Sequence, residues 1–277
     1  MIHTIDANGA SIPAIGLGTW TLRGAECTGL VEHALDVGYR HLDTAASYEN
    51  EAEVGAAIRA SGIARSELFV TTKVWYTDIA PGDLERSAEA SLKRLGLDHV
   101  DLLLIHWPSK TVPLEGSIRA LNATQAKGYA RNIGVSNFPT GLLSRAIELS
   151  EHKLACNQVE YHPMLSQEKV YALCRKAGMA MVSYCPLHRG GGLLEETAVR
   201  AAAERHARPP AQVVLRWHVQ QEGVAAIPRT TKKERLAENF AIFDFSLSGE
   251  EMNAISALRS ANSRICDFAF APDWDRA

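Results

Sequence analysis

Four side chains of complementary chemistry stand at or just beyond the ends of apolar runs: Asp43, Tyr48, Lys73 and His106. Asp43 closes Tyr39-Arg40-His41-Leu42-Asp43, and Tyr48 follows a short step later. Lys73 closes Leu68-Phe69-Val70-Thr71-Thr72-Lys73, and His106 closes Val100-Asp101-Leu102-Leu103-Leu104-Ile105-His106. If those runs are neighbouring parallel strands, all four side chains gather at one rim of the sheet. There a phenol can deliver a proton, and an adjacent ammonium makes its ionised form less costly. A carboxylate can hold the ammonium, and an imidazole can orient a carbonyl. Each residue alone has an ordinary explanation. Asp43 could cap a helix, Lys73 could be a solvated strand end, His106 a core histidine, and Tyr48 could cover the next helix. Their joint placement on strands two, three and four points to chemistry instead.

The elements that must position them are legible as alternating runs. A hairpin is expected from Ile2–Asp6 and Ser11–Ile15, with Asn8-Gly9 as its turn. Eight strand-like runs then follow: Ile15–Thr19, His41–Asp43, Leu68–Val74, Val100–His106, Asn132–Ser136, Ala155–Tyr161, Ala180–Tyr184 and Ala225–Pro228. Amphipathic segments separate them. Thr28–Val37 puts Leu30, Val31, Ala34 and Leu35 on one stripe and stops at Gly38. Leu84–Leu95 before Gly96 and Val170–Ala177 before Gly178 repeat the pattern. Eight βα units with no linker or composition shift predict an α/β fold, a (β/α)₈ TIM barrel, as a single domain over residues 1–277. A doubly wound open sheet is the runner-up. It would carry a phosphate-binding turn after its first strand, and Gly16-Leu17-Gly18-Thr19-Trp20-Thr21 lacks the third glycine. That GxG reads better as a tight turn with close backbone packing.

Composition narrows the function classes. A net charge of −3 provides no broad basic field, which argues against nucleic acid or an anionic membrane as partner. The five cysteines are scattered, odd in number and without a CxxC pair, so reduced thiols in a cytoplasmic protein are expected, with no disulfide framework or metal cluster. Met1-Ile2-His3-Thr4-Ile5-Asp6 lacks the charged and apolar regions of a signal peptide, and no apolar run nears the ~20 residues that span a bilayer.

In a barrel the C-terminal strand ends build the active site. Besides the four residues above, those ends carry Thr19-Trp20, Ser136-Asn137, Asn157-Gln158, Tyr184 and Arg229-Thr230. The last turn is informative on physical grounds. Thr231 and Glu234 have capping-box spacing, so a helix is expected to open there, and Arg229, Lys232 and Arg235 converge on its positive end. Such a place suits a phosphate.

The chain resembles the aldo-keto reductases. The blocks that carry this are Gly38–Ala45 with Tyr48, Thr72-Lys73-Val74-Trp75 and Leu104-Ile105-His106-Trp107-Pro108. Ile133–Phe138, Asn157–Pro163 and Ile227-Pro228-Arg229-Thr230 continue it. The tail Arg264–Asp275 and the short loops look most like bacterial 2,5-diketo-gluconate reductases. The resemblance covers essentially the whole chain. It implies a barrel whose base is closed by the N-terminal hairpin, Tyr48 as general acid, Lys73 and Asp43 as its tuning pair, and His106 as the group that orients the carbonyl. Lys73 is expected to bring the Tyr48 pKa down from its ordinary ~10 toward the operating range. The hydride must come from a cofactor, which the resemblance makes NADPH, with NADH as a weaker alternative.

The implied cofactor contacts follow the same blocks. Tyr184 would stack on the nicotinamide, while Ser136, Asn137 and Gln158 would hold its carboxamide. Thr19, Asp43 and Leu187 would border the same cofactor. Arg229, Thr230 and Arg235 would take the 2′-phosphate, with Glu238 and Asn239 near the adenine. Two departures stand out. The family more often has Lys-Ser at the positions of Arg229-Thr230, which bears on selectivity for NADPH over NADH. It commonly has serine at the position of Cys185. The loop Cys185–Gly192 is short, so a long loop over the pyrophosphate is not expected; Arg189 and the glycines either contact the diphosphate or form a plain flexible loop.

Trp20, Trp75 and Trp107, with Tyr48 and His106, are the expected substrate wall. Trp107–Glu115 and the tail are short, which predicts an open pocket for small polar aldehydes and ketones. Keto-sugar acids, 2-oxoaldehydes such as methylglyoxal, and simple aromatic aldehydes are the expected range. The family default is a monomer. A reading of another class is a nucleotide-binding regulatory subunit with little turnover, which the intact tetrad of residues argues against.

Overall fold

The computed structural model describes residues 3–276. Strands β1 (Thr4–Ala7) and β2 (Ala10–Pro13) pair antiparallel, Ile5 opposite Ile12. Asn8 and Gly9 have φ of 48° and 95°, the left-handed pair that a two-residue hairpin turn requires. The expected hairpin start at Ile2 lies outside the described residues. Asn8 also docks the hairpin, its Nδ2 donating to Leu154 O at 2.8 Å and Ala177 O at 3.0 Å.

Eight parallel strands follow in sequential order: β3 (Leu17–Gly18), β4 (His41–Asp43), β5 (Phe69–Val74), β6 (Val100–Ile105), β7 (Ala130–Ser136), β8 (Leu154–Glu160), β9 (Ala180–Tyr184) and β10 (Val224–Ala226). The sheet is curled, and backbone bonds join its first and last segments. Gly16 N donates to Ala226 O at 2.9 Å, Ala226 N to Ala14 O at 2.9 Å, and Gly18 N to Pro228 O at 3.1 Å. Here the GxG segment acts as a strand rather than a turn. A Cβ at Gly18 would stand 2.9 Å from the carbonyl oxygen of Ile227, so only glycine permits this approach.

Strand periodicity sets which side chains reach the interior. On β6, Leu102 and Leu104 join an inner cluster with Phe69, Cys156, Val182 and hairpin residue Ile12, whereas Leu103 and Ile105 join the outer core. The outer core lies under the helices, where α1 (Gly24–Val37) buries Leu30, Val31, Ala34 and Leu35. Every residue of β5, β6 and β8 is buried, as expected for strands covered on both faces.

The connections are α2 (Glu51–Ala60), α3 (Asp83–Leu95), α4 (Leu114–Ala126), α5 (Thr140–Leu149) and α6 (Glu168–Lys176). One correction concerns their number. The β9–β10 crossover carries two helices, α7 (Thr197–His206) and α8 (Pro210–Val219), and α9 (Lys233–Phe240) and α10 (Gly249–Ser256) follow β10. Pro209-Pro210 divides what would otherwise be one long helical stretch. Among the described residues, no helix is long and apolar enough to cross a membrane.

Candidate active site

The interior parity that places Leu102 and Leu104 also points the polar strand ends inward. Asp43, Lys73 and Gln158 are almost fully buried there. Lys73 Nζ donates to Asp43 Oδ1 at 2.5 Å and to Thr44 O at 2.8 Å, and stands 3.4 Å from the Tyr48 hydroxyl. Gln158 Nε2 donates to the other Asp43 oxygen at 2.7 Å. The carboxylate therefore has both oxygens satisfied, which a buried charge demands. Tyr48 comes from a short 3₁₀ turn, Ala46–Tyr48, and its ring meets His106 edge-on with centroids 5.5 Å apart. Trp75 packs against the same imidazole at 5.1 Å.

The electrostatics of this floor differ in one respect from the sequence reading. Burial, with Asp43 adding to it, holds the Tyr48 phenol well above its usual value, so the expected lowering by Lys73 is corrected. The physical reason is burial, which withholds water from the phenolate, with the nearby Asp43 carboxylate repelling its charge. Burial lowers Lys73 itself, against the pull of Asp43. Burial, and next the Lys73 charge, keeps His106 well below the usual histidine range, hence neutral at neutral pH. Ser47 Oγ lies 3.4 Å from His106 Nδ1. With that hydroxyl donating, the imidazole proton sits on Nε2 and can be offered to a carbonyl oxygen.

Above this floor opens a cavity of about 950 Å³, and Tyr48, His106, Asn137, Gln158 and Tyr184 all line it. It has two chemically distinct limbs. One is aromatic, walled by Trp20, Trp75, Trp107, Phe268 and Phe270. The other runs past Leu187 to Arg229, Thr230, Lys232, Arg235 and Asn239 at the end of β10 and the start of α9. Tyr184 donates its hydroxyl to Asn137 Oδ1 at 2.7 Å, while Asn137 Nδ2 donates to His106 O and Ser136 Oγ, both at 3.0 Å. This mesh ties His106 to the amide-bearing strand ends and to Tyr184.

The aldo/keto reductase family profile matches residues 14–260. The chain belongs to the aldo/keto reductase family. It is 40% identical to "Methylglyoxal reductase DkgB" of Escherichia coli O157:H7 over 268 residues, 96% of this chain and 100% of that protein. A crystal structure of a candidate 2,5-diketo-D-gluconic acid reductase B superposes with a TM-score of 0.96 at 45% identity, covering 100% of this chain and 98% of that one. A Bombyx mori aldo-keto reductase in complex with NADP superposes at 0.90 with 33% identity, over 99% of this chain and 98% of that one. The fold is thus the TIM-barrel-like one of these oxidoreductases, whose family uses nicotinamide cofactors.

Within this aldo/keto reductase cavity, not every residue named from sequence faces the open space. Lys73 stands behind Tyr48, and the hydroxyls of Thr19 and Ser136 donate to Asp43 O at 2.9 Å and Gln158 O at 2.8 Å. The cationic limb departs in two ways. Helix α9 starts at Lys233 with Lys232 as its cap, and Thr231 makes no capping bond. Thr230 instead bonds within the turn ahead of the helix, its Oγ1 accepting from Lys232 N at 3.0 Å. Arg229 turns from the helix end toward the β3–α1 loop, donating to Trp20 O at 3.2 Å and Thr21 Oγ1 at 2.5 Å. Lys232 and Arg235 remain exposed at the limb's rim with Glu238 half-buried beside them.

Sequence reasoning missed what the reductase's tail does. Far from leaving the pocket uncovered, the tail brings Cys266, Phe268 and Phe270 to its wall, with the Trp107 and Phe270 rings 5.3 Å apart. Buried Glu160 pins this segment, accepting from Ile265 N and Cys266 N at 2.6 Å each. Asp275 fastens its end to Thr140, accepting from the backbone N at 2.9 Å and the hydroxyl at 2.6 Å. Arg189, from the short loop after β9, lies over the Trp20 ring at 5.1 Å. The repeated aromatics of residues 268–274 were the available signal for the tail. Ser47 had none.

Proposed function

We propose that this chain is an NADPH-dependent reductase of small aldehydes and ketones, a single barrel domain over residues 1–277 with Tyr48 as general acid. The observation that carries it is the Tyr48 hydroxyl and neutral His106 at the floor of one cavity, with Lys73 held beside the phenol by Asp43. When bound, the reduced nicotinamide supplies a hydride, which no side chain can. Tyr48 donates its proton to the carbonyl oxygen as negative charge develops there. Lys73, 3.4 Å from that hydroxyl, lowers the cost of the tyrosinate left behind. His106 holds the carbonyl oxygen by a neutral hydrogen bond, so orientation does not compete with proton donation.

The cavity's residues suit such a cofactor. Tyr184 offers a ring face, and Asn137 and Gln158 offer amides beside the tetrad. Lys232 and Arg235 stand exposed at the far limb, and a phosphate there would meet cations and the first turn of α9. The names of the relatives support methylglyoxal and 2,5-diketogluconate as carbonyl substrates, and the aromatic limb adds simple aromatic aldehydes. All five cysteines are unpaired, which supports a cytoplasmic setting. We take the working form to be a monomer.

The test is a substrate panel on the purified chain, read as loss of reduced-nicotinamide absorbance with NADPH and NADH in parallel. Turnover of methylglyoxal, 2,5-diketogluconate or benzaldehyde is expected, faster with NADPH. Tight NADPH binding without oxidation across the panel would support a regulatory subunit instead.

A further inference from the structure

Two cysteines face the cavity, and the carbonyl chemistry uses neither. Cys185 directly follows Tyr184 at the end of β9, and Cys266 belongs to the tail; both line the space above the tetrad. The two side chains pack into one cluster with Trp107 and Tyr184, and Arg189 Nη2 donates to Cys266 Sγ at 3.6 Å. The two mounts are rigid and adjacent. Glu160 on β8 clamps the backbone of Cys266 at 2.6 Å and is also the register partner of Tyr184 on β9. Cys185 holds a left-handed backbone, φ 50°, which non-glycine residues adopt only when their surroundings enforce it.

We propose that Cys185 and Cys266 form an oxidisable dithiol, a modification site for hydroperoxides built into the wall of the substrate cavity. The Cys185 thiolate attacks the terminal oxygen of a hydroperoxide. An S–O bond forms, the O–O bond breaks, and the alkoxide or hydroxide leaves with a proton from water. Sulfur is oxidised by two electrons and the peroxide reduced by two, leaving a sulfenic acid. The Cys266 sulfur then attacks that sulfenic sulfur. The S–S bond forms, the S–O bond breaks, and the departing hydroxide takes the Cys266 thiol proton to become water. Closing the bridge brings the two sulfurs of this cluster to the ~2.05 Å of a disulfide. The product ties the tail to the residue beside Tyr184.

The remaining cysteines are placed differently. Cys27, Cys156 and Cys174 are fully buried. Burial pushes Cys27 and Cys174 up to about 12, and Cys156 up as well. Cys185 is half-exposed, and the hydrogen bond from Cys266, then Arg189, holds it below the usual thiol value against burial and Glu160. A thiolate in an accessible, cationic setting is the reactive kind.

The experiment treats the full chain with a small excess of hydrogen peroxide, alkylates the remaining thiols and maps peptides by mass spectrometry without reduction. A Cys185–Cys266 cross-linked peptide is expected, with two of the five thiols lost and both regained with dithiothreitol. In Cys266→Ser, dimedone should trap a sulfenic acid at Cys185; in Cys185→Ser, Cys266 should stay reduced. Before oxidation, iodoacetamide should label Cys185 about tenfold or more faster than the three core thiols. Oxidation spread over Cys27, Cys156 and Cys174, or no 185–266 peptide in wild type, would overturn the proposal. None of these readouts needs turnover, so they stand apart from the test of reductase activity.

Discussion

Gln158 Nε2 donates to Asp43 Oδ2 at 2.7 Å, joining the end of β8 to the end of β4 across the interior. The other Asp43 oxygen is held by Lys73 at 2.5 Å. An amide suited to a nicotinamide and the ion pair beneath Tyr48 therefore share one carboxylate. Displacing Gln158 should disturb the ion pair, and through it the phenol.

Tyr48→Phe removes the donated proton and almost no volume. Carbonyl reduction should fall on the order of 10²–10⁴-fold, the usual contribution of a positioned acid. NADPH affinity should change little, since the hydroxyl's protein contact is with Lys73. Steady-state turnover with a parallel binding titration checks both. Near-wild-type turnover would show that another group supplies the proton.

Lys73→Met leaves the buried Asp43 carboxylate facing an apolar chain, with only Gln158 as a side-chain partner. Breaking a buried pair from one side costs about 3–5 kcal/mol, because a charge is left uncompensated. Urea unfolding should show that loss, and Asp43→Asn added to Lys73→Met should restore part of it. A single variant as stable as wild type would mean that water or a rearranged partner solvates Asp43.

The pH dependence follows from two opposite shifts. His106 is lowered well below its ordinary 6.5, first by burial and then by Lys73, so its neutral form persists as pH falls through 6.5. Tyr48 is raised well above 10, so its proton persists as pH rises toward 10. Turnover at saturating substrate should therefore be flat from about pH 6.5 to about pH 10, if these two groups govern it. Stability behaves differently. Below 6.5 the unfolded chain binds protons that buried His41, His106, His162 and His218 refuse, so stability falls as pH drops through that region. An inflection in turnover near pH 6.5 would place a normal histidine in the mechanism.

The barrel-like sheet and the tetrad were legible because strand parity is rigid. Once β4, β5 and β6 were placed, Asp43, Lys73 and His106 had to share the interior rim. Helix stops at Gly38, Gly96 and Gly178 were legible for a local reason, each having a left-handed φ. Long-range choices were not. The bond of Arg229 to the Trp20 carbonyl depends on the approach of the β3–α1 loop, which no residue type announces. The sign of the Tyr48 shift depended on how deeply the fold buries the phenol beside Asp43, which is a matter of packing and not of residue type. The tail's role rests on Glu160, whose two backbone contacts lie 105 and 106 positions away.

The remaining prediction concerns cofactor choice. Arg229 is already engaged by Trp20 and Thr21, whereas Arg235 stands exposed on the first turn of α9 and lines the same limb as Lys232. A 2′-phosphate in that limb would accept charge-assisted hydrogen bonds from Arg235, each contributing about 1.5–3 kcal/mol. Arg235→Ala should therefore weaken NADPH roughly tenfold to a hundredfold. NADH, with no phosphate to lose, should bind almost as before. Added salt should erode the NADPH advantage in the same direction, because the limb is open to solvent and its charges are screened. Arg229→Ala should act differently: it frees the Trp20 loop, so both cofactors should weaken together. Titrating each variant with both cofactors by tryptophan fluorescence quenching separates the two patterns. Equal losses for NADPH and NADH in Arg235→Ala would make the cluster structural and remove the basis for NADPH preference.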